Sequence, residues 1–344
     1  MRSSASGLHV TLLACLAGLI LMSLRFGAVP ANWSDVFEIF AAAPGPEGRA
    51  ILELRLPRTA CAVLIGAYLG LAGLVFQTVL RNPLADPTLF GISGGASLAV
   101  VAAMGIATAL FPLNASYGAS AAILPTDLVP PIALAGGLTA TALVVWLAWQ
   151  DGLSPLRLVL FGAVFAFVLN GIVMVMVMSL AESRTELAIL WLAGSLYARD
   201  FANFWPAVPW GVGGIAVIVA AFPWLSGLRF DAQTAQGMGV STRLATPILL
   251  AAAAGLAASS VSVAGPVGFV GLLVPHMVRL IYGAALGPMA GGAAILGACL
   301  VVASDLVGRV IAPPIEIPVG IVTSLIGAPI FALLIRREIR RQSA

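Results

Sequence analysis

The chain has 344 residues, of which 60% are hydrophobic and 9% are charged, and its formal net charge is +3 at pH 7. This composition excludes a water-soluble globule, because one core of this size cannot bury so much apolar surface. A net charge this small gives no reason to expect nucleic-acid binding. We therefore expect a membrane protein whose surroundings are largely lipid.

Ten apolar segments are predicted to cross the membrane as α-helices. A crossing helix needs about 20 residues, and most of the stretches that lack Asp, Glu, Lys and Arg reach that length. The stretch 244–278 is interrupted by Gly265-Pro266, so we expect a full span there, followed by a shorter one. The predicted spans are 8–26, 57–80, 89–111, 129–149, 157–180, 206–225, 244–263, 267–281, 285–304 and 317–335.

Glycines recur at helical spacing in the second predicted span. Gly66, Gly70 and Gly73 fall on neighbouring turns of a helix, and small residues let membrane helices approach each other closely. A glycine-rich phosphate loop is not expected, because no strand precedes the cluster and no Lys-Ser or Lys-Thr follows it. We predict tight helix packing at these positions.

Both chain termini are predicted to face the cytoplasm. An even number of spans places them on one side of the membrane, and the tail 336–341 is the densest basic cluster of the chain. We expect the first span to be retained, because Arg25 directly follows its apolar core and no Ala-x-Ala-like cleavage site is obvious. The expected location is the inner, or cytoplasmic, membrane, crossed several times.

The connections between spans are too short to hold a soluble domain. The longer ones are 30–56, 112–128 and 181–205 outside and 226–243 inside. We predict a single transmembrane domain, residues 1–344, without a nucleotide-binding domain, so the energy source is expected to be another chain or an ion gradient. No metal site is expected, because Cys15, Cys61 and Cys299 have no partners at metal-ligand spacing.

Two of these connections carry recognisable patterns. The stretch 185–197 is apolar but too short to span, which favours a short surface helix. The loop 226–243 predicts a short helix that ends at Gly239. Four residues are expected to share one face of that helix: Leu228, Ala232, Ala235 and Met238. The spacing fits either a docking element for a soluble partner or a solvated connector.

Arginines mark the outer ends of two predicted spans. Arg55 and Arg58 lie at positions i and i+3, on one face at the start of the second span. Arg309 lies at the outer end of the ninth span, four residues after Asp305. An ion pair within that helix and a position at the membrane interface are both alternatives to a partner-binding role.

A further set of residues is interpreted as architectural. An Asn side chain at the end of a helix can satisfy freed backbone groups, a carboxylate is favourable at a helix start, and a lone His in a turn is expected to be a satisfied polar residue. The set consists of Asn82, Pro83, Gly265, Pro266, Pro275, His276, Glu316 and Pro318.

Ordered motifs along the chain resemble those of one transport family. The motifs are Arg55-Leu-Pro-Arg58, Arg81-Asn82-Pro83-Leu84-Ala85-Asp86-Pro87, Trp191-x-x-Gly194-Ser195-Leu196, Gly237-Met-Gly239, Pro275-His276-x-x-Arg279, Asp305-x-x-x-Arg309 and Glu316-x-Pro318-x-Gly320. In these residues, spread over nearly the whole chain, the sequence resembles the FecCD family of binding-protein-dependent permeases. That family serves importers of iron-siderophores, haem and cobalamin.

The resemblance implies a type II ABC importer permease fold. In such importers a homodimer of ten-helix subunits binds two ATPase subunits inside and, transiently, one solute-binding protein outside. ATP would be used by the ATPase subunits, and this chain would bind no cofactor and carry no catalytic residue. The implied substrate is an iron-siderophore-type chelate, with haem or cobalamin as alternatives. From another class, an ion-coupled secondary carrier is an alternative, although the spans lack a chain of Asp, Glu and His.

The resemblance also implies roles for particular residues. Arg55, Arg58 and Arg309 match positions that dock acidic residues of the binding protein. The loop 226–243 matches the segment that contacts the ATPase, although many relatives carry two acidic residues where this chain has Ala232 and Gln233. Its candidate contact residues are Leu228, Arg229, Asp231, Ala235, Met238 and Gly239. The family's pathway is lined chiefly by the fifth and tenth helices, which implies that residues 162–173 and 319–327 line it here.

Overall fold

The computed structural model describes residues 2–27, 31–39, 45–110, 126–150, 152–180 and 182–342. Within these ranges every regular element is helical, and Trp149 and Leu153 form an isolated bridge. The predicted all-α class is confirmed. The long helices are α1 (Arg2–Arg25), α2 (Leu56–Val79), α3 (Ile92–Leu110), α4 (Val129–Ala148), α5 (Pro155–Met178), α6 (Val208–Ala220), α7 (Thr242–Ala264), α8 (Val270–Tyr282), α9 (Leu286–Val310) and α10 (Val319–Gln342).

These long helices correspond one for one to the predicted spans. Across the described ranges, 7 segments are long and apolar enough to cross a membrane, while α3, α8 and α10 contain shorter apolar stretches. Helices suit a lipid environment because each satisfies its backbone N–H and C=O groups internally.

The chain forms two compact units. The first contains residues 1–74, 195–200 and 267–344, and the second contains residues 75–194 and 201–266. Helices α1, α8, α9 and α10 belong to the first unit, and α3 to α7 belong to the second. The chain passes from one unit to the other within α2. The expectation of a single domain stays a prediction.

Glycines bring α2 close to its neighbours in the first unit. A Cβ atom on Gly66 would overlap the backbone of Gly297 in α9, and Gly70 lies in the same way against the carbonyl group of Ala293. Gly73 makes a similar approach to α8. The predicted tight packing is confirmed at all three positions. Helices α1 and α8 also pack against α9, and α10 contacts both α8 and α9.

The second unit is built around α3, α4 and α7. Gly95 of α3 and Gly136 of α4 each face the other's carbonyl oxygen, so these helices lie very close together. Helix α7 packs against α4 and α6. Helix α5 contacts α3 and α4 but leaves one apolar face open, on which the Phe167 side chain is 83% exposed.

Residues 46–55 are helical where a loop was predicted. Pro46–Ala50 is an α-helix, and Ile51–Arg55 forms a π-helical turn that continues into α2. A prediction from hydropathy misses this helix, because its charged residues interrupt the apolar run. A proline at the first helical position and Glu47 in the first turn are the start signals that the sequence offered. Trp33–Glu38 is a further short helix in the same connection.

Other helix ends differ from the prediction for local reasons. The span predicted as 206–225 breaks at Ala221, and Phe222–Gly227 forms a separate helix, because a proline can begin a helix but not continue one. Helix α9 runs past its predicted end at 304 and includes Asp305 and Arg309. A short helix was expected in the apolar stretch 185–197, and the helix Glu182–Leu192 covers its first part.

Candidate functional site

An ion-pair network joins α2, α9 and the segment before α10 in the first unit. Arg58, in the first turn of α2, donates from Nε (3.0 Å) and Nη2 (2.9 Å) to Oδ1 of Asp305 on α9. Its Nη1 donates to Oε2 of Glu316 at 2.8 Å. The side chains of Arg58 and Asp305 are 12% and 2% exposed, so solvent screens this pair only weakly. One guanidinium therefore holds three segments of the chain together.

Arg309 completes the network from α9. Its Nε lies 3.0 Å from Oδ2 of Asp305 one turn earlier, an ion contact without hydrogen-bond alignment. Its Nη2 donates to the Ser23 hydroxyl at 2.6 Å, and its Nη1 donates to the carbonyl oxygens of Ser23 and Phe26 at 3.2 Å each. The side chain is 3% exposed. The ion pair within α9 that the spacing allowed is therefore present, and the docking role of Arg309 stays a prediction.

Arg55 and Arg309 both bind the C-terminal end of α1. Arg55 Nη1 donates to the carbonyl oxygens of Leu24 at 2.8 Å and Arg25 at 2.7 Å. The last carbonyl groups of a helix lack partners within the helix and carry partial negative charge, so guanidinium groups are favourable there. The side chain of Arg55 starts from the π-helical turn, a geometry that is frequent at functional sites. These contacts fix the end of α1 to α2 and α9.

A cavity of about 750 Å³ opens beside the network in the first unit. Arg55, Arg58, Arg309 and Glu316 line it, together with residues 197–200. The fold therefore brings all three predicted docking arginines to one place. The guanidinium groups lie inward, since Arg309 is buried and Arg55 and Arg58 are half-buried. This cavity is the candidate docking site.

The second candidate site is the loop 226–243, which contains a short helix, Ala232–Gly237, called the loop helix below. Oδ1 of Asp231 accepts from the backbone N–H groups of Gln233 and Thr234 at 3.0 Å each, and Oδ2 accepts from the Thr234 hydroxyl at 2.6 Å. These hydrogen bonds, above all the one from the Thr234 side chain, lower the pKa of Asp231. Asp231 therefore caps the helix as an ionised group at neutral pH.

The loop helix ends in a turn that requires glycine. Gly239 has a φ of 80°, in the left-handed region where a side chain is strained. The Gly239 N–H donates to the Gln236 carbonyl oxygen at 2.9 Å, and the Val240 N–H donates to that of Ala235 at 3.0 Å. This pair of hydrogen bonds is the Schellman motif. The predicted end of the helix at Gly239 is confirmed.

The apolar face predicted for the loop helix is partly wrong. Leu228 and Ala235 are buried, but Ala232 is exposed and Met238 is 51% exposed. The helix is too short to carry four residues on one face, and the turn after it buries Val240 instead. Apolar and basic side chains of the loop are thereby left on its surface: Arg229, Phe230 and Met238.

The segment after α2 is anchored to this loop within the second unit. Arg81 has a φ of 50°, and its Nη1 donates to the Phe230 carbonyl oxygen at 3.1 Å. Asn82 Oδ1 accepts from the Leu84 N–H at 2.9 Å, which is the kind of backbone contact expected for Asn82. Pro83 follows and excludes a further turn of α2. This hydrogen bond thus links the segment after α2 to the loop just before the loop helix.

The remaining architectural residues lie at helix ends or inside α8. Gly265 ends α7 with a φ of 74°, and a Cβ atom there would overlap the Trp191 carbonyl oxygen. Pro266 follows it directly. In α8, Pro275 is buried and His276 beside it is half-buried. The carbonyl oxygen of Pro318, just before α10, accepts from the Ile321 and Val322 N–H groups at 3.1 and 3.3 Å.

Cys61 and Cys299 are buried, Cys15 is exposed, and all three are free thiols. Among the residues that the structure describes, no group of 3 or more His, Cys, Asp or Glu side chains is arranged to hold a metal ion.

Sequence reasoning passed over two polar residues that the structure places in prominent positions. Arg199 lines the cavity described above. Asn170 lies within α5 and is exposed, as is Gly171 beside it. An amide group in hydrocarbon without hydrogen bonds is unfavourable by several kcal/mol, so this edge of α5 is expected to face water or protein. The available signal was the Asn-Gly pair inside an otherwise apolar span.

The sequence model of the FecCD transport family matches residues 15–337 of this chain. The chain belongs to the FecCD transport family. The resemblance that the motifs suggested is confirmed over nearly the whole chain. FecCD membership assigns this multi-span membrane protein a transport role rather than a catalytic one, within a bacterial ABC importer family.

Two curated relatives and one solved structure extend this result. The Fe(3+) dicitrate transport system permease protein FecD of Escherichia coli is 34% identical over 323 residues, which cover 94% of this FecCD protein and 96% of the relative. The iron(3+)-hydroxamate import system permease protein FhuG of Bacillus subtilis is 32% identical over 319 residues, 92% of each chain. A solved chain assigned to the metal-chelate type of ABC transporter, in an inward-facing conformation, superposes with a TM-score of 0.81 over 97% of this chain and 99% of its own, at 23% identity. The predicted type II permease fold is confirmed.

Proposed function

We propose that this FecCD protein is the membrane-spanning permease subunit of an ABC importer for iron-siderophore-type chelates. The observation that carries the proposal is its similarity, along more than nine-tenths of both chains, to permease proteins named for iron(3+) dicitrate and iron(3+)-hydroxamate. These relatives differ in chelator and share the metal. Both termini lie in the cytoplasm of this inner-membrane protein, and separate subunits hydrolyse the ATP.

The loop helix is the contact for the ATPase subunit. It is short and capped at both ends, and the Arg81 hydrogen bond to Phe230, just before it, would let it move together with the end of α2. Phe230 and Met238 present exposed apolar surface next to the exposed Arg229. Apolar anchors with a basic neighbour are typical of surfaces that bind another protein. Movement of the ATPase would therefore be passed directly to α2.

The cavity of the first unit is the contact for the solute-binding protein. Glu316 is 22% exposed and is the most accessible member of the ion-pair network. A carboxylate of the binding protein can replace Glu316 at Arg58 while Asp305 remains paired. Arg55 lies in the same cavity, and a guanidinium can hold a carboxylate through two parallel hydrogen bonds.

Two copies of the chain enclose one pathway, lined by α5 and α10. In the isolated chain both helices expose large apolar side chains, such as Phe167 and Met178 of α5 and Leu325 of α10. A second copy would cover part of this surface, and the remainder would line a passage of low polarity. Residues 162–173 and 319–327 are the proposed lining. Substrate selectivity would then rest largely with the binding protein.

Reconstitution tests the proposal. The chain is placed in liposomes with its ATPase subunit and binding protein, and uptake of iron(3+) dicitrate, an iron(3+)-hydroxamate, haem and cobalamin is measured. We expect ATP-dependent uptake of an iron chelate that requires all three proteins, and an ATPase variant without its Walker lysine is the control. Uptake driven by a proton or sodium gradient without the ATPase would overturn the proposal. Uptake restricted to haem or cobalamin would make that compound, and not an iron-siderophore-type chelate, the substrate of the importer.

A further inference from the structure

Arg199 occupies a constrained position in the segment Ser195–Asp200 of the first unit. Ala198 before it has a φ of 53°, in the left-handed region that non-glycine residues rarely adopt. Hydrogen bonds hold the segment in this shape, from the Arg199 N–H to the Leu196 carbonyl oxygen at 3.3 Å and from the Tyr197 N–H to the Ser195 hydroxyl at 3.1 Å. Strained backbone of this kind is concentrated at functional sites. Here it places Arg199 on the wall of the cavity.

The Arg199 guanidinium lacks one hydrogen bond within the part of the chain that the structure describes. Its Nε is buried and has no hydrogen-bond acceptor among the described residues. Burial lowers the pKa of Arg199, while Cys61 and the neighbouring Asp200 act in the opposite direction. Buried donors are nearly always paired in folded proteins, so a partner group that pairs with this guanidinium would be favoured. By contrast, Arg58 and Arg309 already face Asp305.

Most charges of the cavity differ in depth according to their sign, and the exception is Glu316, a half-buried carboxylate that pairs with Arg58. Arg55, Arg58, Arg199 and Arg309 are half-buried or buried, and they form a basic floor. The carboxylates of Glu47, Glu53 and Asp200 are exposed, and they form an acidic rim around it. A uniformly acidic partner surface would be repelled by the rim before it reached the floor. A partner must therefore present both signs of charge.

We propose that the cavity receives an acidic side chain of the binding protein at Arg199, and that basic side chains surrounding it on that protein meet the rim of Glu47, Glu53 and Asp200. This inference rests on the proposed function and adds the charge pattern of the partner surface, a central carboxylate within a basic collar. A planar guanidinium with a free N–H matches a carboxylate in geometry and charge. The rim favours partners with the collar and rejects those without it.

Binding of the solute-binding protein to the complete importer in lipid nanodiscs tests the central contact. Arg199→Gln is expected to weaken binding at least about tenfold. Arg199→Lys should retain part of the affinity, because lysine keeps the positive charge but lacks the planar pair of N–H donors. Arg25→Gln is the matched control, since it removes one positive charge from a side chain that stacks on Trp33 outside the cavity, and it should bind as wild type. Unchanged binding by Arg199→Gln would overturn the inference.

Charge reversal keeps the test informative if a variant folds poorly. Arg199→Glu should lose binding, and one acidic-to-arginine substitution on the binding protein should restore it, which a folding defect could not produce. Glu53→Lys should weaken binding if the basic collar exists. Tighter binding by Glu53→Lys would indicate that the partner surface is uniformly acidic, and would contradict the proposed basic collar on the binding protein.

The outcomes separate this inference from the permease function. If the wild-type importer takes up an iron chelate while Arg199→Gln binds its partner normally, the inference fails and the function stands. If free citrate competes with wild type but not with Arg199→Gln, and Arg199→Gln binds the binding protein normally, the cavity is a small-anion site and the inference again fails. If no chelate is imported in the presence of ATPase and binding protein, the proposed function fails on its own evidence.

Discussion

Arg58 directs two nitrogen atoms at Oδ1 of Asp305, while Oδ2 of the same carboxylate faces Arg309. One buried aspartate is therefore the counter-ion of two arginines on different helices. Its removal would leave Arg309 buried without an opposite charge, whereas Arg58 would keep Glu316. The stability of this part of the first unit depends on Asp305 more than on any single arginine around it.

Asp305→Asn is expected to destabilise the protein by about 3–5 kcal/mol, the usual penalty for leaving a buried charge unpaired. Thermal unfolding in lipid nanodiscs measures the loss. Glu53→Gln, which removes an exposed carboxylate at the cavity rim, should unfold within about 0.5 kcal/mol of wild type. Equal stability of Asp305→Asn and wild type would contradict the central role of this carboxylate.

Gly239→Ala and Gly237→Ala form a matched pair in the loop helix. Neither added methyl group meets another atom within 4 Å, so the two variants differ in backbone geometry alone. Gly239 has a φ of 80°, where an alanine is strained by about 1–2 kcal/mol, whereas Gly237 lies within the helix. Gly239→Ala should reduce the ATP hydrolysis that the binding protein stimulates, and Gly237→Ala should not. Identical stimulation in both variants would argue against coupling through this turn.

Gly66→Ala is expected to separate α2 from α9. Its methyl group would overlap the backbone of Gly297, which cannot rotate away, and overpacking of this kind costs about 1–3 kcal/mol. Gly18→Ala in α1 adds the same methyl group where nothing lies within 4 Å and should leave the melting temperature unchanged. A normal melting temperature for Gly66→Ala would show that the two helices can move apart without loss.

Asn170 provides a test of the proposed pathway. In a chain whose three cysteines are replaced, Asn170→Cys should react with a water-soluble thiol reagent and lose transport on reaction. Val175→Cys is an exposed control outside residues 162–173, on the opposite edge of the same α5 face, and should react more slowly. Disulfide formation between two copies at position 170, without reagent access, would instead place this edge at the contact between subunits. Equal protection of both cysteines would place it in lipid.

Long apolar runs made the ten spans predictable, because hydropathy alone determines whether a segment is stable in lipid. The contacts of the arginines were not predictable in the same way. Arg58 and Asp305 are 247 positions apart, and no local pattern reveals that they meet. The ion pair between Asp305 and Arg309 could be foreseen, since it follows from helical spacing. The exposure of Met238 and the helix at 46–55 depended on turn geometry and pairing partners, which hydropathy does not record.

Helix α1 is attached to the first unit at both of its ends, so the fold depends on it. Most of the surface of this helix is exposed, yet its last carbonyl groups accept hydrogen bonds from Arg55 and Arg309, and His9 near its start lies 3.1 Å from the Pro288 carbonyl oxygen. Removing residues 1–25 would take away the Leu24 and Arg25 carbonyl acceptors of Arg55 and the Ser23 acceptors of Arg309. Arg309 would keep only the Phe26 carbonyl oxygen and Asp305 among the contacts described above. The amino-terminal helix thus helps to position Arg55 and Arg309, and its loss would change the wall of the docking cavity.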